Sequence, residues 1–290
     1  MTAVAAPLAR AAAWRDVVAL LKLRIDALVV AVALAAAVAA GERSAARLGV
    51  LALATLASSA GAGAFNHWYD RDVDRLMPRT RGRPVASGRV DPAFALGLAV
   101  VLTAAACLAA PVLGAGVCLY LLAGSATYAG VYTVWLKRRT PYGIVWGGAA
   151  GSFAALAGWQ LAGSTLRPAP QLLALVLFLW TPSHFWSLAI KLEDDYRAAG
   201  ILALPVVAGP ARTARAVFAN TLALALSALA LGLYLGLAYV AVALPATTGF
   251  LLATRALARD PSPARAWSVF KLSGLYLLAL LAGVAAAGLV

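Results

Sequence analysis

The chain has 290 residues, 63% of them hydrophobic and only 12% charged, with a mean hydropathy of +0.86. These values exclude a soluble globular domain, and they make the net charge of +13 a question of where the basic residues stand rather than a sign of nucleic-acid binding. No polar stretch is long enough for a second domain, so residues 1–290 are expected to form one all-α, polytopic membrane domain.

The N-terminus has no separate short apolar region with a cleavage site, so no signal peptide is expected and the first pass directs insertion. That pass spans about residues 17–41 and carries Lys22, Arg24 and Asp26 near its start. The second, 46–66, runs into AFNHWYDRDVDRLMPRTRGRP, where Asn66, Asp70 and Asp74 recur every four residues. No Gly or Pro interrupts 64–77, so a helix is expected to continue to Pro78, whose missing N–H and ring end it. At about 100° per residue, each four-residue step returns to within roughly 40° of one face and climbs about 6 Å. Three oxygen-bearing side chains then point to one hydrated place, and Asp72 turns away towards Arg71, Arg75 or water. A small set of oxygen donors suits Mg²⁺, a hard ion that keeps waters and shares substrate phosphates. Arg71, Arg75, Arg79, Arg81, Arg83 and Arg89 follow or interleave, and guanidinium forks match phosphate or carboxylate oxygens. The combination points to a metal-bridged diphosphate. The alternative is a solvated, self-paired loop, against which stands the placing of four of the 11 acidic residues in the 67–93 loop.

Passes three and four, 94–112 and 115–136, are divided at 111–116, and Cys107 and Cys118 flank that hairpin as small apolar fillers or as an outward-facing disulfide. Asp91-Pro92 and Thr140-Pro141 set a capping oxygen before a proline at the starts of passes three and five. The fifth pass, 141–162, holds Gly143, Gly147, Gly148, Gly151 and Gly158, which allow close helix packing or make room for a bulky flat ligand. The sixth, 169–190, continues into TPSHFWSLAIKLEDDYRAAGILALP, where Pro182 loosens the helix near His184. Lys191 and Asp195 are four residues apart and share a helical face, with Asp194 about 100° round. An acidic residue there would complete a metal site opposite Asp70 and Asp74, with Lys191 on a phosphate; the alternative is an interfacial Lys–Asp pair beside an aromatic belt of Phe185 and Trp186. His67 reads as a hydrogen-bonded structural group, whereas His184 reads as that, as a base, or as a group approaching a metal in the substrate. The last passes are 214–233, 237–254 and 268–289, the first two divided at 232–236. With nine passes and the N-terminus inside, 21 of the 24 Lys and Arg fall on the inner side and only Arg43, Arg47 and Arg167 outside. The expected topology is therefore N-terminus cytoplasmic, C-terminus outside.

An NxxxD motif after the second pass, a second acidic loop after the sixth and nine helices together resemble the UbiA superfamily of intramembrane prenyltransferases. NHWYDRDVDRLMPRTRGRPVASG, YTVWLKRRTPYGIVWGGAAGSFAALAGW and TPSHFWSLAIKLEDDYRAAGILALPVV are similar to its haem-farnesylating branch, and the likeness runs from LLKLRIDALVV to the last pass. The resemblance implies a nine-helix UbiA-type bundle in a bacterial plasma (inner) membrane, with a central cavity open to the cytoplasm. It further implies farnesyl diphosphate as donor, haem b as acceptor, Mg²⁺ as cofactor, haem A synthase as a partner and no nucleic acid. In that branch metal-bound aspartates draw off diphosphate, a ring vinyl group attacks the allylic cation, and water completes the hydroxyethylfarnesyl group of haem O.

Asn66, Asp70 and Asp74 carry over as metal and diphosphate ligands. Trp68, Tyr69, Tyr128, Tyr132 and Trp146 are candidates to face the cation. The superfamily's second motif has two aspartates four apart, whereas here that spacing links Lys191 to Asp195. This departure puts a symmetric second metal site in doubt and leaves Asp195, then Asp194, as the acidic partner, with Lys191 on diphosphate. Arg71, Arg79, Arg81, Arg83, Lys137, Arg138 and Arg139 stand on the side where phosphates and haem propionates need cations. Rival readings are a UbiA relative acting on a quinone precursor or chlorophyllide, and a transporter; the latter is disfavoured because transporter sites lie near the midplane while these clusters sit at the boundary.

Overall fold

The computed structural model describes residues 13–163 and 165–289; Arg10, part of the inner basic tally, lies outside them. The described residues form helices and turns without a strand. In order these are α1 (Trp14–Leu20), α2 (Leu23–Ala39), α3 (Ala45–Tyr69), α4 (Arg71–Leu76), α5 (Pro92–Cys107), α6 (Ala110–Leu113) and α7 (Ala115–Ala126). A π-helical stretch (Thr127–Leu136) continues α7 and leads to α8 (Gly143–Gly147), α9 (Ala149–Gln160), α10 (Pro168–Lys191), α11 (Glu193–Ala198) and α12 (Leu204–Ala208). The chain closes with α13 (Pro210–Leu235), α14 (Leu237–Arg259) and α15 (Pro263–Leu289).

Seven spans are long and apolar enough to cross a bilayer: α3, Pro92–Leu113, Ala115–Leu136, α10, α13, α14 and α15. The expected first and fifth passes are broken instead. Lys22 separates α1 from the 17-residue α2, and Gly148 separates α8 from the 12-residue α9, each short of the roughly 20 residues a straight span needs. Length and composition alone thus support seven of the nine passes, and the chain is an integral membrane protein. Leu53, Val100, Leu226 and Leu233 are exposed apolar side chains, as a lipid-facing surface requires.

α10 runs against α9, α13 and α15, and Leu173, Leu177, Trp180, Leu224 and Leu280 fill the core between them. Pro182 inside α10 has no N–H to donate, and beside it Asn220 of α13 ties the two helices together by donating to the Leu179 carbonyl at 2.5 Å and to Ser183 Oγ at 2.7 Å. The glycines of the fifth pass divide between the two roles expected of them. A Cβ on Gly158 would stand 2.0 Å from the Ala33 carbonyl oxygen, so glycine lets α9 meet the backbone of α2. Gly151 instead opens onto a cavity. Cys107 and Cys118 are both free thiols, the second buried, which fits apolar fillers rather than a disulfide.

Candidate functional site

The four-residue repeat survives folding with a single hinge in it. α3 ends at Tyr69, Asp70 (φ −86°, ψ 6°) caps it, and α4 restarts at Arg71. The backbone ladder still runs Asp70 N–H to Asn66 C=O at 2.9 Å and Asp74 N–H to Asp70 C=O at 2.8 Å. Met77 is extended before Pro78, as the residue preceding a proline prefers, so the helix stops where expected.

All three repeat residues are buried, Asp70 completely, which replaces the expected hydrated loop with a desolvated ionic cluster. Asn66 Nδ2 donates to Asp70 Oδ2 at 2.5 Å, and Asn66 Oδ1 accepts from Lys22 Nζ at 2.5 Å. Lys137 Nζ pairs with Asp70 Oδ2, with Arg138 on the other oxygen at 3.5 Å. Arg83 Nη1 lies 2.9 Å from both Asp74 oxygens. Burial on this scale demands such pairing, because a carboxylate stranded away from water is strongly disfavoured. Asp72 does turn away, but to Arg138 rather than to Arg71 or Arg75, at 2.7 Å from each of its oxygens. That guanidinium holds the exposed Asp72 carboxyl below the usual carboxylate range. Arg71 lies over the Trp68 ring and donates to its carbonyl, and Arg75 donates to the Ala86 carbonyl. Asp72→Asn therefore loses only an exposed pair, and turnover is expected to stay within about threefold of the parent in a product assay.

The π-helical stretch positions the opposite wall. Its wider winding, seen in the Lys137 N–H to Tyr132 C=O bond at 2.8 Å, brings residues five apart onto one face. Tyr128 reaches Lys22 Nζ at 3.4 Å, Thr133 meets Asn66 Nδ2 at 3.3 Å, and Lys137 reaches Asp70. In an α-helix Tyr128 and Thr133 would stand about 140° apart. Facing them, Lys22 adopts the left-handed conformation (φ 50°, ψ 42°), the one non-glycine residue with positive φ among the described residues. Such strain persists where the surroundings hold it, and here it turns the ammonium of Lys22 into the cluster. Lys22, Tyr128 and Thr133 were not among the ligands expected from the sequence; the signal for Lys22 was a charge within an apolar pass.

A cavity of about 100 Å³ adjoins this cluster, lined by Lys22, Gly63 and Tyr128 together with Ile25, Val29, Leu121 and Ala154. The second acidic loop meets the first through an apolar contact, with Val73 and Met77 packed against Tyr196, Ala199 and Ile201. Tyr196 is buried beside Arg79, and burial pushes its phenol up. Asp195 is half-buried on α11, while Lys191 and Asp194 are exposed. Leu192 (φ −112°, ψ 26°) interrupts the chain between α10 and α11, so the register expected to lay Lys191 and Asp195 on one helical face is not continuous. Tyr132 is buried and borders a smaller cavity of about 20 Å³ with Lys137, Phe185 and Tyr196. Arg81 is exposed. His184 lies apart from the cluster, its ring between Trp180 and Phe270 and its Nδ1 2.6 Å from Ser273 Oγ. His67 is buried on α3, with no partner for Nδ1 among the described residues.

The donor set of Asn66, Asp70 and Asp74 is all oxygen in kind and so suits Mg²⁺. Among the described residues no three His, Cys, Asp or Glu side chains gather closely enough to hold an ion alone, so substrate oxygens would have to supply the rest of a metal's shell.

Residues 27–286 match the UbiA prenyltransferase family. The protoheme IX farnesyltransferase 2 of Paramagnetospirillum magneticum is 48% identical over 237 residues, covering 81% of this chain and 82% of that one. The fold is shared with a structure of digeranylgeranylglyceryl phosphate synthase (TM-score 0.78, 14% identity, covering 94% and 98% of the two chains). It is shared too with a UbiA homologue from Archaeoglobus fulgidus solved with DMAPP and Mg²⁺ (TM-score 0.70, 18% identity, 92% and 98% covered). By the family match over most of its length and the identity to its relatives, the chain belongs to the UbiA prenyltransferase family and, within it, to the protoheme IX farnesyltransferases.

Proposed function

We propose that this protein transfers the farnesyl group of farnesyl diphosphate to a vinyl group of haem b, making haem O. The observation that carries the reading is the buried Asn66–Asp70–Asp74 row, faced by Lys22, Arg83 and Lys137, with Lys22 linking it to a largely apolar cavity within the bundle. Asn66, Asp70 and Asp74 would hold Mg²⁺ together with the diphosphate, with Asp195 as a further acidic ligand from the second loop. When bound, Mg²⁺ supplies positive charge at the leaving oxygens. Lys22, Arg83, Lys137 and Arg138 carry charge complementary to a diphosphate, and Lys191 and Asp194 stand at the exposed rim of the second loop. Tyr128 and Tyr132 present aromatic faces beside the place where the allylic cation forms. The apolar cavity wall keeps bulk water from that cation. Arg71, Arg79, Arg81 and Arg139 remain for the haem propionates once Arg83, Lys137 and Arg138 are engaged with carboxylates.

The relevant membrane is the bacterial inner membrane, with the 67–93 loop and the N-terminus cytoplasmic, as the distribution of Lys and Arg supports. Haem A synthase, which would take the product, is the proposed partner, and residues 1–290 form one domain.

Purified protein given haem b, farnesyl diphosphate and Mg²⁺ is expected to yield haem O by mass spectrometry. Product with a quinone precursor but none with haem would overturn the acceptor. Chelation with EDTA is expected to stop turnover, and added Mg²⁺ to restore it; full activity in excess chelator would remove the metal from the reading.

A further inference from the structure

One buried carboxyl has no part in the site described so far. Asp26 lies in the first turn of α2, 1% exposed, four residues after Lys22. Ser59 Oγ donates to its Oδ1 at 2.6 Å, while Oδ2 is buried with no partner among the described residues. Thr55 Oγ1, also buried, is likewise without a partner, and Asp26, Thr55 and Ser59 all line the larger cavity. Two orphaned polar atoms on one cavity wall are disfavoured unless something polar meets them. A water needs roughly 10–15 Å³ of such space, and the cavity offers about 100 Å³.

The place also matches a need of the proposed reaction. When C1 of the farnesyl group leaves the diphosphate and bonds to the terminal vinyl carbon, positive charge moves to the vinyl carbon joined to the ring. That carbon is two bonds from C1, and Asp26 is one helical turn, about 6 Å, from the Lys22 end of the ionic cluster. We propose that Asp26 is the proton acceptor for the water that completes the product. The water oxygen bonds to the cationic carbon, and one of its protons passes to Oδ2 of Asp26, leaving a hydroxyl on the product and a neutral carboxylic acid on the protein. Thr55 holds the water, and Ser59 fixes the carboxylate so that Oδ2 faces it. Without Asp26 to take the proton of water, the cation instead loses a proton from the neighbouring carbon to the released diphosphate and gives a farnesylated haem lighter by one water.

This inference rests on the haem-farnesylation reading, and one experiment separates the two. Purified full-length protein and its Asp26→Asn variant are incubated with haem b, farnesyl diphosphate, Mg²⁺ and oxygen-labelled water, and the hydrated and dehydrated products are weighed. Asp26→Asn is expected to lower the hydrated-to-dehydrated ratio by about tenfold or more, within the range general-base removal commonly produces, and Asp26→Glu to recover part of it. An unchanged ratio, including one with less total product, would overturn the proposal and mark Asp26 as structural. If Asp26→Asn does not fold, Ser59→Ala keeps the carboxyl but frees its orientation, and a parental ratio there overturns the proposal equally. No farnesylated haem from the parent protein would sink the reaction itself, and the proposal with it.

Discussion

Asp70→Asn is expected to lower haem farnesylation by about 10²–10³-fold or more, the scale on which removal of one preorganised electrostatic group acts. Asn preserves the shape of the side chain and its contact with Asn66, but it takes away the negative charge that faces Lys137 and Arg138. Because Asp70 is fully buried, the substitution also leaves Lys137 facing a neutral amide. Losing one partner of a buried pair commonly costs about 3–5 kcal/mol, and Lys137, itself partly exposed, recovers some of that through water. The double variant Asp70→Asn with Lys137→Gln is therefore expected to regain thermal stability in detergent without regaining turnover. That split separates charge used in the reaction from charge used in folding. Near-parental activity in a folded Asp70→Asn protein would remove the aspartate from the mechanism.

Gly158→Val is expected to destabilise the fold by forcing two packed helices apart. The new Cβ alone would collide with the Ala33 carbonyl, and that atom is backbone on a packed helix with no rotamer to adopt. α2 and α9 must separate, at a cost of about 1–3 kcal/mol or more. With roughly 2–4 °C of melting temperature per kcal/mol for a chain near this size, a drop of about 5–10 °C should be visible in a thermal-shift assay. Gly249→Ala on α14, where a Cβ meets open space, serves as the control and should be neutral or slightly stabilising. A Gly158→Val protein as stable as the parent would mean that the two helices are not held at this distance. Both helices also wall the larger cavity, through Val29 and Ala154 among others, so activity should fall with stability.

The part of the site that could be read in the letters is the part built on regular helical phase. Asn66, Asp70 and Asp74 lie in one ladder because a four-residue step and an α-helix nearly agree, and the hinge at Asp70 does not break the hydrogen bonds that carry the phase. The burial of the row is not legible in the letters for a related reason. A run rich in Asp and Arg looks hydrated in one dimension, whereas Asp74 pairs with Arg83 inside its own loop and Asp70 pairs with Lys137 from a chain segment that the fold brings to it. Tyr128 is legible as an aromatic candidate, but its approach to Lys22 and the place of Thr133 are not, because they rest on π-helical winding, which has no periodic signature in side-chain type. Lys22 and Asp26 were visible as charges in an apolar pass, but their meeting with Asn66 and Ser59 required knowing that α2 packs on α3. Seven spans emerged cleanly from hydropathy; the first and fifth passes bend where a left-handed lysine and a glycine-rich stretch interrupt them.

The ion pairs of the buried cluster bear on how readily the proposed, highly charged substrate could enter a greasy interior. Asp70 and Asp74 already have ammonium and guanidinium partners, so an arriving cation–diphosphate unit need not strip water from naked carboxylates. Each acid can exchange a basic side chain for the incoming ion while the released base turns to a phosphate oxygen. On the proposed reaction charge would be traded between partners throughout, and no unmatched ion would be marooned in a medium that cannot solvate it.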